Sequence, residues 1–155
     1  PQTGHIVIGA SDGAIHFVHP EKMTLLRSLP EADQHSVFSL AYTSDGRYLF
    51  SGGRDAQLKV WDREEDFSLI RTINAHWFTI NAIAVHPKLP LFATASRDKT
   101  VKIWHTDTFE LLKVLDRQKQ QGHLNSVNRL LWLNDNILLS TGDDRSIIAW
   151  QVKAA

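Results

Sequence analysis

The chain contains no cysteine among its 155 residues. This absence excludes disulfides, zinc sites built on thiolates and cysteine nucleophiles. An excess of charge of either sign is also missing, because 17 Lys and Arg residues balance 17 Asp and Glu residues. No broad electrostatic field therefore attracts nucleic acid or an anionic membrane, and no apolar run approaches the ~20 residues of a membrane-spanning helix. We expect neither a nucleic-acid nor a membrane partner.

The chain does have a phrase that recurs around an aspartate. The phrase reads "GASDGAIHFVH" at Asp12, "GGRDAQLKVWD" at Asp55, "ASRDKTVKIWH" at Asp98 and "GDDRSIIAWQ" at Asp144, with spacings of 43, 43 and 46 residues. Between successive aspartates, short alternating or apolar runs are separated by turn clusters, which predicts four strands per unit. A period of about 40 to 45 residues with four short strands indicates the blades of a β-propeller.

Residue pairs at fixed places in these units resemble the WD-repeat β-propeller family. Counterparts of the family's Gly-His pair are Gln34-His35, Ala75-His76 and Gly122-His123. Counterparts of its Trp-Asp pair are Trp61-Asp62, Trp104-His105 and Trp150-Gln151. The resemblance extends over essentially the whole chain. It implies an all-β fold, a partial ring of four-stranded antiparallel blades.

Three of the units each contain a histidine, a hydroxyl, an aspartate and a tryptophan at similar spacing. These sets are His35, Ser51, Asp55 and Trp61; His76, Thr94, Asp98 and Trp104; and His123, Ser140, Asp144 and Trp150. A blade is buried on both faces, so an indole N–H inside it needs an acceptor. By resemblance to the family, the indole donates to the hydroxyl, the hydroxyl bonds the histidine, and the histidine bonds the aspartate. The first unit has Ile8 and Val18 in place of the hydroxyl and the tryptophan, so we expect no such network there.

The same residue types could instead supply the base, nucleophile and orienting group of a hydrolase. Three copies in one chain and the lack of a Gly-x-Ser-x-Gly turn argue against catalysis, and we predict neither an enzyme nor a cofactor. Eight histidines also raise the possibility of a metal site. Since His35, His76 and His123 occupy equivalent places in different blades, they do not converge on one ion, and we predict no metal.

The repeat divides the chain into residues 1–31, an incomplete blade; 32–74 and 75–116, two blades; and 117–155, a last blade without its outer strand. The first unit lacks its first strand, so the chain by itself cannot close a ring. We interpret it as the C-terminal half of a ring of about seven blades, and the start at Pro1 as a sign of a fragment or a processed product. The rest of the same protein, or a second copy of this chain, would complete the ring. The polar segment "DRQKQQGHLNS" is expected to be a solvated loop.

In this family, the face that carries the turn before the third strand commonly binds peptides or protein surfaces. By position, the resemblance assigns ten residues to this face: Ser11, Ser36, Phe38, Arg54, Thr79, Asn81, Arg97, Ser126, Asn128 and Asp143. Arg54 and Arg97 form a candidate pair for carboxylate or phosphate, with Phe38 and Trp77 as aromatic anchors. The alternative is that the arginines pair with neighbouring carboxylates and the aromatic rings pack under loops.

The leading expectation is a non-enzymatic scaffold for protein–protein interaction, placed in the cytoplasm. The alternative is a propeller domain that supports or regulates an enzyme encoded in a missing portion of the chain. Both rest partly on fold analogy, which does not name a partner.

Overall fold

A computed structural model describes residues 4–152 of the chain. Their strands are β1 (Ile6–Gly9), β2 (Ile15–Val18), β3 (Leu25–Leu29), β4 (Val37–Tyr42), β5 (Tyr48–Gly53), β6 (Gln57–Asp62), β7 (Ser68–Asn74), β8 (Ile80–Val85), β9 (Leu91–Ser96), β10 (Val101–His105), β11 (Leu111–Leu115), β12 (Val127–Asn134), β13 (Ile137–Gly142) and β14 (Ile147–Gln151). One short helix, α1 (Arg117–Gln120), precedes β12. The all-β prediction is therefore confirmed.

The strands form four antiparallel sheets in chain order. The first contains β1–β2–β3, the second β4–β5–β6–β7, the third β8–β9–β10–β11 and the fourth β12–β13–β14. Within each sheet, strands that follow one another in the sequence pair with each other, as expected for blades that are built one after another along the chain. Within the described residues, the first and last sheets thus have three strands where the two middle sheets have four.

The repeated aspartate forms the turn before the third strand of each unit. Its carboxylate accepts a hydrogen bond from the backbone N–H two residues later, at 2.9 to 3.1 Å, in the manner of an Asx turn. The residue between them has a positive φ in every copy: 84° at Gly13, 64° at Ala56, 74° at Lys99 and 60° at Arg145. The recurrence of the aspartate therefore reflects, in part, a local need of the backbone.

Neighbouring sheets share apolar cores, one at each junction. The first two sheets enclose Ile15, Phe17, Leu49 and Trp61; the second and third enclose Phe50, Val60, Phe92 and Trp104; and the third and fourth enclose Ala93, Ile103, Leu138 and Trp150. Each repeated tryptophan thus packs in the core between its own sheet and the preceding one. Burial of these side chains is what holds one sheet against the next.

The polar segment between β11 and β12 differs from the expected loop by one helical turn. Helix α1 begins after Asp116, whose carboxylate accepts the backbone N–H of Lys119 at 2.9 Å. An aspartate in this position satisfies a free N–H at the start of a helix, which explains why a turn forms there. No helix in residues 4–152 is long and apolar enough to cross a membrane.

Candidate functional site

The third sheet contains a complete hydrogen-bonded chain from tryptophan to aspartate. The indole N–H of Trp104 donates to the Thr94 hydroxyl at 2.9 Å. The same hydroxyl lies 2.7 Å from Nε2 of His76, and Nδ1 of His76 lies 2.8 Å from the Asp98 carboxylate. All four residues that the sequence predicted for this blade therefore lie together.

The direction of these hydrogen bonds follows from the chemistry of the end groups. An indole only donates and a carboxylate only accepts, so Nδ1 of His76 carries the proton toward Asp98. With a neutral ring, Nε2 then accepts from the Thr94 hydroxyl, which in turn accepts from the indole. Burial lowers the pKa of His76, and the Asp98 carboxylate opposes this shift only in part. The neutral ring is thus the form that completes the network.

Asp98 belongs both to the network and to the turn. Burial by itself would raise the pKa of its carboxyl, but hydrogen bonds from the His76 ring, the Thr100 hydroxyl and the Trp77 N–H outweigh burial and lower the pKa. The carboxylate is therefore charged, and it connects the loop before β8 to the turn before β10.

The fourth sheet repeats this arrangement. The Trp150 indole donates to the Ser140 hydroxyl at 2.8 Å, Nε2 of His123 lies 2.8 Å from the same oxygen, and Nδ1 of His123 lies 3.0 Å from Asp144. Burial would raise the pKa of Asp144, but the Ser146 hydroxyl, the His123 ring and the Leu124 N–H outweigh burial and lower the pKa. The four predicted residues of this blade also lie together.

In the second sheet the prediction for His35 is wrong. His35 is exposed, and Asp33 occupies the place of the histidine. Asp33 lies four residues before Val37, the start of β4, just as His76 lies four before Ile80 and His123 four before Val127. Its distance to the turn aspartate, 22 residues to Asp55, equals that from His76 to Asp98. This spacing could have identified Asp33 from the sequence. Because Gln34-His35 resembles the family's Gly-His pair, His35 was predicted in its place.

The replacement changes the electrostatics of this blade. One oxygen of Asp33 accepts the N–H groups of His35 at 2.7 Å and Ser36 at 3.0 Å, and the other accepts the N–H of Asp55 at 3.2 Å. Two carboxylates are thus close together, and the buried Lys59 ammonium lies 2.6 Å from Asp55.

Lys59 makes the pKa values of the two carboxyl groups differ. Burial raises the pKa of Asp33 in spite of its backbone hydrogen bonds. Burial acts on Asp55 in the same direction, but Lys59 and the Gln57 N–H outweigh it and lower the pKa. Asp55 is therefore the more acidic partner. The predicted hydrogen bond between tryptophan and hydroxyl is present in this sheet, where the Trp61 indole N–H donates to the Ser51 hydroxyl at 2.9 Å.

The buried hydroxyls are not placed for hydrolysis. Ser51, Thr94 and Ser140 are each 0 to 1% exposed, and each accepts an indole N–H. A nucleophile needs access to its substrate, and these oxygens have none. Nor does the described part of the chain bring three or more His, Cys, Asp or Glu side chains together in a way that would hold a metal ion.

The first sheet lacks the network, in agreement with its sequence. Asp12 keeps the turn, where its carboxylate accepts the N–H of Ala14 at 3.0 Å. Ile8 is exposed and Val18 is buried, and neither side chain has a polar group to satisfy. The aspartate is therefore retained in its turn role alone.

The predicted binding residues occupy equivalent backbone places beside the aspartate turns. The N–H of Arg54 donates to the Ser36 carbonyl at 3.0 Å, that of Arg97 to Thr79 at 3.0 Å, and that of Asp143 to Ser126 at 2.9 Å. Each turn is thus tied to the start of the first strand of its own sheet. Ser36 also links two sheets, because its hydroxyl donates to the Ser11 carbonyl at 3.2 Å.

Several polar members of this set are engaged with each other. The Asn81 amide donates to the Ser126 hydroxyl and to the Val127 carbonyl, both at 2.9 Å, which joins the third sheet to the fourth. The Asn128 amide donates to the Asp143 carboxylate at 2.5 Å. Asn81, Ser126, Asn128 and Asp143 are therefore hydrogen-bonded to one another, whereas Arg54 and Arg97 are exposed.

Aromatic side chains are exposed on the same face. Phe38 is 55% exposed and Trp77 is 87% exposed, so neither ring packs under a loop. Phe78, which sequence reasoning missed, is 59% exposed. It lies in the loop before β8, which is held by the bond from the Trp77 N–H to Asp98 and by that from the Ser96 hydroxyl to the Phe78 carbonyl. Two adjacent exposed aromatic residues in a short loop were a signal for a contact surface.

The chain forms antiparallel sheets one after another, with a tryptophan in each shared core and an aspartate in the turn before the third strand of each unit. These features define a repeat protein of the β-propeller class. The family model described as "WD domain, G-beta repeat" matches residues 23–62, 67–105 and 112–151. The chain therefore belongs to the WD-repeat family. The first two matches each contain the outer strand of one sheet and the first three strands of the next, so the repeat unit straddles neighbouring blades.

Relatives in this family are much longer than the chain. It is 30% identical over 156 residues to the ubiquitin fusion degradation protein 3 homolog of Caenorhabditis elegans, which covers 97% of the chain and 17% of the relative. It is 33% identical to nuclear distribution protein PAC1 of Arthroderma benhamiae, over 71% of the chain and 25% of the relative. It is 30% identical to human kinesin-like protein KIF21A, over 73% of the chain and 6% of the relative. The chain thus spans a quarter or less of the length of these relatives.

Proposed function

We propose that the chain is part of a propeller that acts as a scaffold for protein–protein interaction. Proteins of the WD-repeat family generally bind other proteins and are generally not enzymes. The observation that carries the proposal is the cluster of exposed aromatic and cationic side chains beside the aspartate turns, formed by Phe38, Arg54, Trp77, Phe78 and Arg97. Aromatic residues and arginine are the side chains that most often dominate the energetics of protein interfaces.

The hydroxyl and histidine sets support a binding role in place of a catalytic one. Their side chains are buried and satisfy each other, so they stabilise the sheets and hold the loops that present the exposed residues. The binding surface is thus built on rigid elements, which favours specific recognition.

We further propose that additional blades complete a ring around this chain. The outer face of the last sheet exposes Leu131, Leu133 and Ile147, and the first sheet exposes Ile6 and Ile8. Equivalent faces at the three inner junctions are buried. Blades from the rest of the same protein would cover these faces, and the lengths of the relatives leave room for them. A second copy of the chain is the alternative occupant.

A second candidate function is support or regulation of an enzyme elsewhere in the same polypeptide. The observation that favours it is the small share of the relatives that the chain covers, 6% in the case of the kinesin-like protein. In this version, the partner of the exposed face is another segment of the same protein. Location in the cytoplasm is part of both proposals and rests on the family resemblance.

Site-specific photo-cross-linking in cells tests the proposed function. A photoreactive residue replaces Trp77 on the candidate face, and in a matched control it replaces the exposed Glu65 in the turn between β6 and β7. We expect position 77 to cross-link to one defined protein that position 65 does not reach. A cross-link within the same polypeptide would favour the second candidate. Absence of any cross-link from position 77, or the same product from both positions, would contradict a binding face.

A further inference from the structure

We propose that Arg54 and Arg97 bind an acidic segment of a partner protein, with Trp77 and Phe78 contacting the apolar side chains of that segment. The ligand chemistry is an extended peptide that carries aspartate or glutamate carboxylates next to an apolar residue. This inference rests on the proposed function, since it names the kind of partner that the candidate face takes.

The two arginines belong to neighbouring sheets whose turn regions touch. Arg54 follows Gly52 and Gly53 at the end of β5. A Cβ atom added to Gly52 would lie 2.8 Å from a methyl carbon of Ile80, the first residue of β8. Thr79, next to Ile80, accepts the backbone N–H of Arg97 at 3.0 Å. The two turns are thus connected by direct packing across the junction between the second and third sheets.

Neither the Arg54 nor the Arg97 guanidinium has a hydrogen-bonding or ion-pair partner within residues 4–152. Arg27 pairs with Asp66, and Arg47 lies 3.2 Å from Asp62 and 3.6 Å from Glu64, whereas the side chains of Arg54 and Arg97 have neither a hydrogen bond nor an ion pair among the described residues. Two exposed, unpaired arginines at equivalent places leave ten N–H donors available for an anionic ligand. Arginine presents these donors in a planar fork that matches a carboxylate.

The carboxylates beneath this surface are already engaged. Asp55 is neutralised by Lys59 at 2.6 Å. The Asp98 carboxylate accepts a hydrogen bond from Nδ1 of His76 at 2.8 Å, and the Asp98 side chain is 4% exposed. Asp33 accepts three backbone N–H groups and is buried. In the two aspartate turns, residues 54–56 and 97–99, the exposed charges are therefore the cations Arg54, Arg97 and Lys99.

The flanking turns limit the site to the middle two sheets. The residue equivalent to the arginines is Ser11 in the first sheet and Asp143 in the fourth. Asp143 is exposed and would repel an acidic segment that ran further in that direction. An acidic peptide therefore fits best over the second and third sheets, where Trp77 and Phe78 offer apolar contact.

Fluorescence anisotropy with the complete natural polypeptide that contains these residues tests the inference. The probes are a labelled peptide with six glutamates around a Leu-Leu pair, a neutral version with glutamine in place of glutamate, and a version with phosphoserine in place of glutamate. The double variant R54A/R97A removes the proposed contacts. The matched control R63A/R71A removes two exposed arginines from the opposite turn and from the outer strand β7.

We expect the glutamate peptide to bind the wild type more tightly than the glutamine peptide, with an affinity that falls as salt is added. R54A/R97A should weaken binding by about tenfold or more, whereas R63A/R71A should leave it unchanged. Equal binding of the glutamate and glutamine peptides, an equal loss in both double variants, or binding of the phosphoserine peptide alone would overturn the inference. If the cross-link from position 77 persists in those cases, the proposed function survives without it. If that cross-link is also missing, both fall.

Discussion

At the scale of single residues, the repeated tryptophans and their partners contribute unequally to stability. Trp104 is 3% exposed and lies in the apolar core that the second and third sheets share with Phe50 and Val60, so its main contribution is packing between two sheets. His76 contributes two hydrogen bonds inside one sheet. The tryptophan therefore holds blades together, and the histidine orients the loop and turn of its own blade.

We predict that Trp104→Ala destabilises the protein more than His76→Ala does. Truncation of a buried tryptophan typically costs about 3 to 5 kcal/mol. Loss of the histidine leaves buried polar partners unsatisfied, at about 1 to 3 kcal/mol. Unfolding midpoints in urea for the two variants measure the difference. An equal or larger shift for His76→Ala would contradict the view that packing dominates.

Stability should also depend on pH through His76. Its pKa is lowered from 6.5 in the folded state, so the unfolded chain binds a proton more readily and stability falls as pH drops below about 6.5. The lowered pKa of Asp98 acts in the same direction below about 3.8, the ordinary pKa of an aspartate carboxyl group. As the pH falls from about 7.5 to 5, we expect titration of His76 to lower the free energy of unfolding of the wild type by up to ~1.4 kcal/mol per pH unit.

Urea unfolding of His76→Asn across the same pH range checks this prediction. The variant should show a flatter pH dependence than the wild type, because the buried titrating group is gone. His35→Asn makes the same substitution at an exposed histidine and should keep the wild-type slope. If His76→Asn and the wild type showed the same slope, His76 would not be the responsible group.

At the scale of the elements, the sequence predicted the strands well, because local patterns determine them. Alternation of apolar residues and the turn clusters located the four strands of each middle sheet, and the aspartate turns followed from side-chain chemistry. Helix α1 was missed because its segment has no counterpart in the other units and its N-cap, Asp116, is a single local signal.

Repeated shifts of register in the strands depend on the tertiary structure. The first strand of each of the last three sheets has a register shift near its start, between Val37 and Ser39, Ile80 and Ala82, and Val127 and Arg129. These shifts lie at the junctions between sheets, where the Ile83 N–H donates to the Ser39 hydroxyl at 2.8 Å. No residue in the shifted pairs announces the irregularity in the sequence, because the neighbouring sheet is what accommodates it.

At the scale of the whole molecule, the chain has two end faces that resemble its inner junctions. Leu131 on the last sheet is 60% exposed. It pairs with Leu139, which in turn pairs with Ala149, and both of these residues are also apolar. An apolar sheet face of this kind is normally covered by a neighbouring layer. Further blades that covered this face would therefore stabilise the last sheet.

We predict that Leu131 is buried in the complete protein. Leu131→Asp in the complete polypeptide should lower the free energy of unfolding by at least the ~1.5 to 3 kcal/mol that burial of a leucine contributes. The matched variant Leu112→Asp changes a leucine on the outer strand β11 that is 52% exposed in the same chain and should have a much smaller effect. Denaturant melts compare the two.

Light scattering of the 155-residue chain by itself separates the possible occupants of the end faces. A stable dimer would indicate a second copy, and dependence on a second polypeptide would indicate the rest of the same protein. A well-folded monomer, or equal melts for Leu131→Asp and Leu112→Asp, would contradict ring closure.

By itself, the sequence determined the period, the order of the strands and the turn aspartates, because each depends on neighbours within one unit, and resemblance to the family added the indole–hydroxyl contacts. The structure decided that Asp33 and not His35 fills the histidine place, because the start of β4 selects between two candidates that lie 22 and 20 residues before Asp55. It also decided that Arg54 and Arg97 stand unpaired on adjoining turns. The physical reason in the case of the arginines is that the partners of an exposed side chain depend on how one sheet packs against the next, which a pattern within one unit does not contain.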